Sequence, residues 1–320
     1  MKLDKKNWKI LAELDKNSRQ TYSQLAKKIQ LSQEAVRYRI NQLTKDKIIQ
    51  KFFTIIDSSK LVFVYYKILL KLHNSNERKI QSLIEYLSKD KNICWLASLD
   101  GNYDVGFVVK AENILALNNI LEELNKKFNS IINKQVFSVN MLGEYLSRDY
   151  LINNKRAYKS EPSYSVKFEK ADLDETDIKI IKSLTEDARE SSVNIGLKLG
   201  LSADTILQRK RKLEKAGVIK KYTIVLNHSA LNQIHYKVFV YLNNFSPKEI
   251  NNFLDYCRTE SRIVYIIKAL GDWNYELDIE AENIEQYRKI MMEITNSFSN
   301  IVKDYNSVIV RKIHKYNLYP

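Results

Sequence analysis

The sequence contains few of the residues on which disulfide frameworks, metal cages and irregular folds depend. Its 320 residues include only 2 cysteines, 3 prolines and 7 glycines. Cys94 and Cys257 are too few for a disulfide framework or a zinc site, so we interpret them as core residues of a protein in a reducing cytoplasm. The scarcity of glycine and proline excludes collagen-like and low-complexity chains and predicts mostly regular helix and strand. The four histidines have no ligand spacing, so we expect neither a metal nor a cofactor; they are His73, His228, His235 and His314.

Long apolar runs are also missing. The most apolar stretch, Leu61 to Leu72, has 12 residues and contains Lys67, whereas a membrane-spanning helix needs about 20 apolar residues. The first ten residues are charged where a secretory signal would be apolar. These features predict a soluble cytoplasmic protein without a membrane partner.

The sequence does have a basic excess, and it is localised. The net charge of +14 includes +8 in residues 1–60, whereas residues 61–150 carry +1 and residues 231–320 carry 0. A localised basic excess predicts an anionic partner, most often nucleic acid, although a solvated basic face has the same composition.

The chain is organised as an internal repeat. A shift of 170 residues aligns the sequence with itself without gaps, and 18 of the 65 positions from Leu3 to Lys67 are identical, against roughly 4 expected for unrelated sequences. We infer a tandem duplication of a unit of ~150 residues. Residues 151–170 are polar, basic and contain Pro162, which indicates a linker that would leave the packing of the two copies open.

Each unit changes its hydrophobic period once. Residues 1–60 and 171–230 show three short helices, a tight turn before the third, and then a strand, which predicts a winged helix-turn-helix. Residues 61–150 and 231–320 follow the order βαββαβ, which predicts a ferredoxin-like domain and an α+β fold class. The open face of such a sheet must be covered, and the commonest cover is the same face of a partner.

The residues expected to contact double-stranded DNA lie on the third helix, opposite the apolar side chains Val36, Ile40 and Leu43. Arginine pairs with guanine and asparagine or glutamine with adenine, while neighbouring basic residues hold phosphates. We predict DNA contacts from Gln33, Arg37, Tyr38, Arg39 and Asn41 in the first copy and from Gln208, Arg209, Arg211 and Lys212 in the second. The alternative is that these are solvated positions on a packing helix.

We call the two winged helix-turn-helix regions, residues 1–60 and 171–230, the first and second heads. The recognition helix of the second head differs from that of the first. Lys210 stands where the first copy has the apolar Ile40, and Leu207 replaces Arg37. We therefore expect a weaker or altered second reading head.

Three motifs follow one another in the first unit. The first copy reads LDxxxxxIL and then LAxxIxLSxxxVxxRIxxLxxxxII, and Gly-x-Tyr-Asp lies between the middle strands of its βαββαβ part. This pattern resembles the leucine-responsive/asparagine regulator (Lrp/AsnC) family over the whole of each unit. The resemblance implies a prokaryotic transcriptional regulator that dimerises through its ferredoxin-like domains, often assembles further and in many cases senses amino acids. It also implies that Arg39 and Arg209 occupy the family's recognition-helix arginine.

The Gly-x-Tyr-Asp motif carries the expectation of a small-molecule effector. Gly101, Tyr103 and Asp104 match it in the first copy, and the second copy reads Gly271, Trp273 and Asn274. An aspartate can hold an amino group by a charge-assisted bond that asparagine cannot supply, so the two loops are expected to differ in ligand binding. A simple turn between two strands is the alternative interpretation.

The tandem arrangement sets this chain apart from the family pattern of one unit per chain. It predicts an intrachain pseudo-dimer with its two sheets face to face, and homo-oligomers through the ferredoxin-like domains. Two other functions fit the same architecture. One is an enzyme resembling siroheme decarboxylases, which the scattered histidines and the lack of a nucleophile–base constellation disfavour. The other is a ligand sensor without DNA binding, which the basic first head disfavours.

Overall fold

The computed structural model describes residues 3–156, 162–167, 169–243 and 246–317, and its two halves have the same order of elements. The first half contains α1 (Lys5–Lys16), α2 (Tyr22–Ile29), α3 (Gln33–Lys45), β1 (Ile49–Ile56), β2 (Val64–Leu72), α4 (Glu77–Lys89), β3 (Ile93–Gly101), β4 (Val105–Ala111), α5 (Ile114–Phe128) and β5 (Ile132–Tyr145). A short strand β6 (Tyr164–Ser165) precedes the second half, which contains α6 (Glu175–Glu186), α7 (Ser192–Leu199), α8 (Ala203–Lys215), β7 (Ile219–Leu226), β8 (Ile234–Leu242), α9 (Pro247–Thr259), β9 (Ile263–Gly271), β10 (Tyr275–Ala281), α10 (Ile284–Ser297) and β11 (Val302–Tyr316). The predicted α+β class, with helix-turn-helix heads followed by βαββαβ domains, is confirmed.

Side-chain caps fix the starts of the head helices. Asp4 accepts a hydrogen bond from the backbone N–H of Asn7 at the start of α1, and Ser32 does the same for α3. Such caps satisfy backbone donors that have no partner within the helix. The turn between α2 and α3 contains Gln30 with φ of 58°, where the second head has Gly200 with φ of 68°. The helix-turn-helix geometry therefore follows from local capping in both heads.

The two heads pack against each other through their strands. β1 and β7 pair antiparallel as a two-stranded sheet. Each head also bonds to the helices of the other, because Thr54 donates to the carbonyl of Leu184 at 2.5 Å and Thr223 donates to that of Asp15 at 2.8 Å. These contacts hold the two recognition helices, α3 and α8, in one fixed relation.

The two βαββαβ domains join into a closed barrel. The strand order is β2-β4-β3-β11-β8-β10-β9-β5, and β5 pairs back to β2. The last strand of each half thus pairs with β3 or β9 of the other half, as Val308 with Gly101 and Ser138 with Gly271. One apolar cluster, including Leu69, Trp95, Phe239 and Trp273, fills the interior, while α4, α5, α9 and α10 cover the outside. The sheets face each other as expected, and their edges are joined as well.

The segment expected to be a loose linker is packed where the structure describes it. β6 pairs with the end of β5. The guanidinium of Arg156 is buried and donates to the backbone carbonyls of Ser147, Ser261 and Ile263. Residues 157–161 and 168 of this segment lie outside the described residues. Together with the strand pairings, these contacts give the two halves one packing rather than several.

Candidate nucleic-acid interface and interior cavity

The outer face of α3 presents most of the residues predicted to contact DNA. Val36, Ile40 and Leu43 are buried, as the spacing predicts. The predicted contacts on the opposite side are exposed, namely Gln33, Arg37, Tyr38 and Asn41. Tyr38 exposes 65% of its surface, although tyrosine is a large apolar residue. No described part of the chain therefore packs over this face. It bears one arginine, one aromatic ring and an amide side chain at each end.

The recognition-helix arginines behave differently from the rest of this face. Arg39 donates to Asp4 at 2.8 Å and to the buried amide oxygen of Asn7 at 2.8 Å. Arg209 repeats the arrangement with Asp174 at 2.6 Å and Asp177 at 2.9 Å. Both arginines thus tie the recognition helix to the first helix of their own head. Their predicted contact with DNA stays a prediction, and a structural role is the one these hydrogen bonds support.

The second recognition helix presents a different face. Gln208, Arg211 and Lys212 are exposed, while Leu207 and Lys210 are only partly so. Only Ile206 and Leu213 are buried on α8, because Lys210 takes the place of the buried Ile40. Burial, with Arg19 nearby, lowers the pKa of Lys210. The two heads therefore offer non-identical surfaces.

The heads are locked together at the turns after their first helices. Arg19 donates to the carbonyl of Ala188 at 2.6 Å, and Arg189 donates to that of Ser18 at 2.8 Å. Since these four positions are equivalent in the repeat, the contacts form a reciprocal clasp. Two heads joined by a clasp and a strand pair cannot adjust their spacing independently.

The two Gly-x-Tyr-Asp-type loops are turns with the same hydrogen bond. Asp104 accepts from the backbone N–H of Leu72 at 2.7 Å, and Asn274 accepts from that of Leu242 at 2.7 Å. Tyr103 and Trp273 are buried in the barrel interior, and each packs its ring against Phe239. The predicted difference between acid and amide does not alter this backbone contact.

The glycines of these loops lie where the two halves meet. Gly271 has φ of 153°, and a Cβ there would lie 2.8 Å from the carbonyl oxygen of Phe137. Gly101 has φ of 131°, and a Cβ there would lie 3.1 Å from that of Ser307. Glycine is therefore favoured at both positions by a φ that L-residues rarely adopt, and at Gly271 also by the close approach of a strand from the other half.

An ionic cluster inside the barrel was not predicted. Lys67 and Lys237 each donate to the same oxygen of Glu276, Oε1, at 2.8 Å, and both ammonium groups lie over the ring of Trp95. Lys237 also binds Asp278 at 2.7 Å, and His235 Nε2 lies 3.0 Å from the same carboxylate. All five ionisable groups are buried.

A second part of the cluster connects the barrel to the first head. The guanidinium of Arg148 donates to Glu280 at 2.9 Å and to Asp15, on α1, at 2.6 Å. His228 Nε2 lies 2.7 Å from Glu280. Burial would raise the pKa of Glu280, but Arg148 and His228 hold it well below its ordinary value. A buried carboxylate of this kind stays ionised only because its cations stay in place.

The structure also brings together two histidines, His228 and His235, that show no ligand spacing in the sequence. The rings of His228 and His235 lie 4.7 Å apart, centroid to centroid. Our expectation that the histidines are not clustered is wrong for this pair, because β8 and the segment preceding it fold onto the same wall. Burial lowers the pKa of His235. Each histidine contacts a different carboxylate, so the pair is a link in the ionic cluster.

A cavity of about 70 Å³ lies at this cluster. Its lining includes the buried groups Lys67, Lys237, Asn140 and Asp278, together with Phe53 of β1 and residues 223–226 of β7. The cavity is thus shared by the barrel and by the strands of both heads. Alternation along β10 is the signal that could have revealed it, because Glu276, Asp278 and Glu280 are two residues apart and so point to one face.

No helix in the described parts of the chain combines the length and apolar character needed to cross a bilayer. Nor do three or more His, Cys, Asp or Glu side chains within those ranges come together in a way that could hold a metal ion.

Comparison with known proteins places the heads in known groups. A profile described as winged helix-turn-helix DNA-binding matches residues 3–50, and one described as AsnC-type helix-turn-helix domain matches residues 173–214. The chain is 31% identical over 122 residues to transcriptional regulator AzlB of Bacillus subtilis, covering 38% of this chain and 78% of that protein. It is 30% identical over 149 residues to the leucine-responsive regulatory protein of Rhizobium meliloti, covering 45% of this chain and 93% of that protein.

A solved structure similar over nearly the whole chain is that of the siroheme decarboxylase NirDL. Its TM-score is 0.61, and the match covers 98% of this chain and 93% of that chain. The sequence identity is 14%, so the likeness concerns the fold alone.

Proposed function

The chain belongs to the Lrp/AsnC family of DNA-binding regulators. We propose that it is a cytoplasmic transcriptional regulator whose two heads, fixed within one chain, bind a single non-palindromic DNA site. The observation that carries the proposal is the uncovered outer face of α3, with Gln33, Arg37, Tyr38 and Asn41 exposed together in the most basic part of the chain. Arginine and amide side chains at the start of such a helix are suited to base edges in the major groove.

The clasp between the heads supports joint reading of one site. Since Arg19 and Arg189 bond reciprocally to the other head, α3 and α8 keep a constant separation. Heads of fixed separation fit half-sites in successive major grooves, with centres about 10 base pairs or a multiple apart. Because α3 and α8 have different exposed residues, the two half-sites should differ in sequence.

Selection of bound sequences from random double-stranded DNA tests this proposal. We expect two unlike half-sites at one spacing. Insertion of about 5 base pairs between them turns one half-site to the opposite side of the helix and should abolish joint binding. Enrichment of a palindrome, of half-sites at variable spacing, or of no sequence at all would contradict the proposal.

We also propose that the regulator responds to a small-molecule effector, with an amino acid as the first class to test. The name of the Rhizobium relative says that it responds to leucine. The predicted contacts in this chain are Gly101, Tyr103 and Asp104 and their counterparts Gly271, Trp273 and Asn274. Of these, Asp104 retains a partly exposed carboxylate, which also binds Lys71 at 3.2 Å. Titration of leucine into the protein–DNA complex would reveal a change in affinity, and Asp104→Asn should reduce it if the ammonium group is held there.

For homo-oligomer formation we propose the outer face of the barrel at the seam where β5 pairs with β9. Phe137 and Leu270 are exposed there, beside the loop of Gly271. Their equivalents at the seam between β3 and β11, Ser307 and Asp100, are polar. One apolar seam per chain suits a closed dimer of chains. Leu270→Asp should shift the protein to monomer in sedimentation experiments, whereas Ile114→Asp, another exposed apolar position, should not.

A siroheme-decarboxylase-like enzyme is a second candidate, for two reasons. The chain shares the fold of that enzyme, and the paired rings of His228 and His235 line an interior cavity. The cavity of about 70 Å³ is many times smaller than a tetrapyrrole, which disfavours this candidate. Addition of an iron-containing tetrapyrrole to the purified protein decides the matter. A visible absorption band that is shifted by the protein and lost in His235→Ala would favour the enzyme over the regulator.

A further inference from the structure

Lys67 and Lys237 occupy equivalent positions in the repeat but are compensated unequally. Among the described residues, Lys237 binds both Glu276 and Asp278, whereas Lys67 binds the carboxylate of Glu276 alone, through the oxygen it shares with Lys237. Burial lowers the pKa of Lys67 to about 8, despite Glu276. For Lys237, burial is outweighed by Asp278 and Glu276, and the pKa is raised. Glu276 and Asp278 together balance the two ammonium charges, but Lys67 is the more weakly paired lysine, because it contacts one shared carboxylate oxygen and Lys237 contacts both carboxylates.

A buried hydrogen-bond acceptor without a partner lines the same cavity. Asn140 is 3% exposed, and no group in the described structure donates to its Oδ1. In the β2–β5 pairing, Lys67 is opposite Ser138, and Asn140 lies two residues further along β5. Such diagonal neighbours project from one face of a sheet with Cα atoms about 7–8 Å apart. A buried acceptor left unpaired costs free energy, so the geometry favours a donor between these side chains.

Within the part of the chain that the structure describes, the cluster exists once. Its carboxylates come from β10 of the second half, whereas the first half has Gly106, Val108 and Lys110 at the equivalent positions. Two identical subunits would have presented identical residues on both walls. The site is therefore a feature that the unlike halves of one chain permit.

The size of the cavity limits its occupant. Its volume of about 70 Å³ is several times the roughly 10–15 Å³ that a single water needs. Tyr65, Tyr164 and Tyr265 form part of its wall. A molecule of about five heavy atoms with one charged end is of suitable size.

We propose that this cavity binds a small hydroxycarboxylate, whose carboxylate pairs with Lys67 and whose hydroxyl donates to Asn140 Oδ1. This site is distinct from the Gly-x-Tyr-Asp loops, and it does not depend on DNA binding. An α-amino acid is a poorer occupant, because its ammonium group would bring a second charge out of water into the buried cavity, which costs free energy. Since Phe53 and residues 223–226 form part of the wall, an occupied cavity contacts the strands of both heads.

Calorimetric titration of the full chain with glycolate, acetate and alanine at pH 8 tests the proposal. Glycolate should bind most tightly, and acetate, which lacks the hydroxyl, about two- to tenfold more weakly. Binding of either anion should take up protons, because a carboxylate beside Lys67 favours its charged form; buffers of different ionisation enthalpy measure this uptake. Tighter binding of alanine than of glycolate, or no binding of any of the three, would overturn the proposal.

Substitutions locate the site. Lys67→Met should abolish both the binding of glycolate and the proton uptake, whereas Lys134→Met, at an exposed lysine on β5, should change neither. Asn140→Ala provides a test that does not depend on the folding of the lysine variant. It should weaken glycolate to the affinity of acetate and leave acetate unchanged. Glycolate binding that is unaffected by Lys67→Met or by Asn140→Ala would show that the anion lies elsewhere.

Discussion

Asp104 accepts a hydrogen bond from the backbone N–H of Leu72 at 2.7 Å, which joins the loop after β3 to the end of β2. Asn274 makes the equivalent bond to Leu242. An acid and an amide can replace each other here because the contact requires only an acceptor oxygen. The loops are therefore alike as structural turns, whatever their difference toward a ligand.

This equivalence predicts how Asp104 tolerates substitution. Asp104→Asn should change the free energy of unfolding little, whereas Asp104→Ala should lower it by about 1 kcal/mol, because the Leu72 N–H loses its acceptor. Urea unfolding measures both. A loss for Asp104→Asn as large as that for Asp104→Ala would show that the charge, rather than the acceptor, is required.

Arg37 and Arg39 should have opposite phenotypes although they are two residues apart. Arg37→Ala should cost ~1–3 kcal/mol in affinity for a selected DNA site if it contacts a base, with little effect on stability. Arg39→Ala removes the partner of the buried Asn7 oxygen and should lower stability by about 1–2 kcal/mol. Binding and unfolding measurements on both variants separate the roles, and a stable Arg39→Ala protein with lost DNA affinity would assign base reading to Arg39 instead.

The turns after the two recognition helices predict a stability difference between the heads. Lys47 has φ of 55°, where the second head has Gly217 with φ of 70°. Because L-residues disfavour this region, Gly217→Ala should destabilise by about 1 kcal/mol. No clash with a neighbouring residue adds to this, since the nearest atom to a Cβ there is 3.6 Å away, an ordinary contact distance. The reverse change, Lys47→Gly, relieves strain in the folded state but gives the unfolded chain more conformational freedom. It should therefore raise the unfolding temperature, and by less than Gly217→Ala lowers it.

Arg148 should be a large single contributor to stability at neutral pH. Arg148→Met leaves the buried carboxylates of Asp15 and Glu280 without their main cation, which should cost about 3–5 kcal/mol. Arg311→Met, at an exposed arginine paired with Asp100, is the matched control and should cost less than about 1 kcal/mol.

The pH dependence of that loss follows from the pKa shifts. With Arg148 present, the pKa values of Asp15 and Glu280 are below their ordinary values, so their contribution is complete at neutral pH and is lost only as pH falls below about 4. Without Arg148, burial raises the pKa of both groups and the variant regains stability as they protonate. The gap between wild type and Arg148→Met should therefore narrow from pH 7 to pH 5. A constant gap would show that the carboxylates are compensated by other groups.

The order of elements could be predicted from the sequence because capping and periodicity are local. Ser32 and the spacing of Val36, Ile40 and Leu43 predict α3, and the structure places its start and its buried residues accordingly. The ends of the long strands could not be predicted in the same way. β5 runs to Tyr145 and β11 runs to Tyr316, because each pairs along its end with a strand of the other half.

The exposed face of α3 also follows from periodicity, whereas the pairing of Arg39 with Asp4 does not, because the two lie 35 residues apart. The interior cluster was missed for a similar reason. Lys67 and Glu276 are 209 residues apart and meet only when the barrel closes.

Affinity for a selected DNA site at two salt concentrations tests the central claim that α3 and α8 lie against DNA. If their basic residues hold phosphates, the association constant should fall at least about a hundredfold between roughly 50 and 200 mM salt, and Arg37→Ala should bind more weakly at both. An affinity that does not change with salt would contradict the claim. So would an affinity that stays the same when Arg37 is replaced by alanine and when Gln33 and Asn41 are substituted.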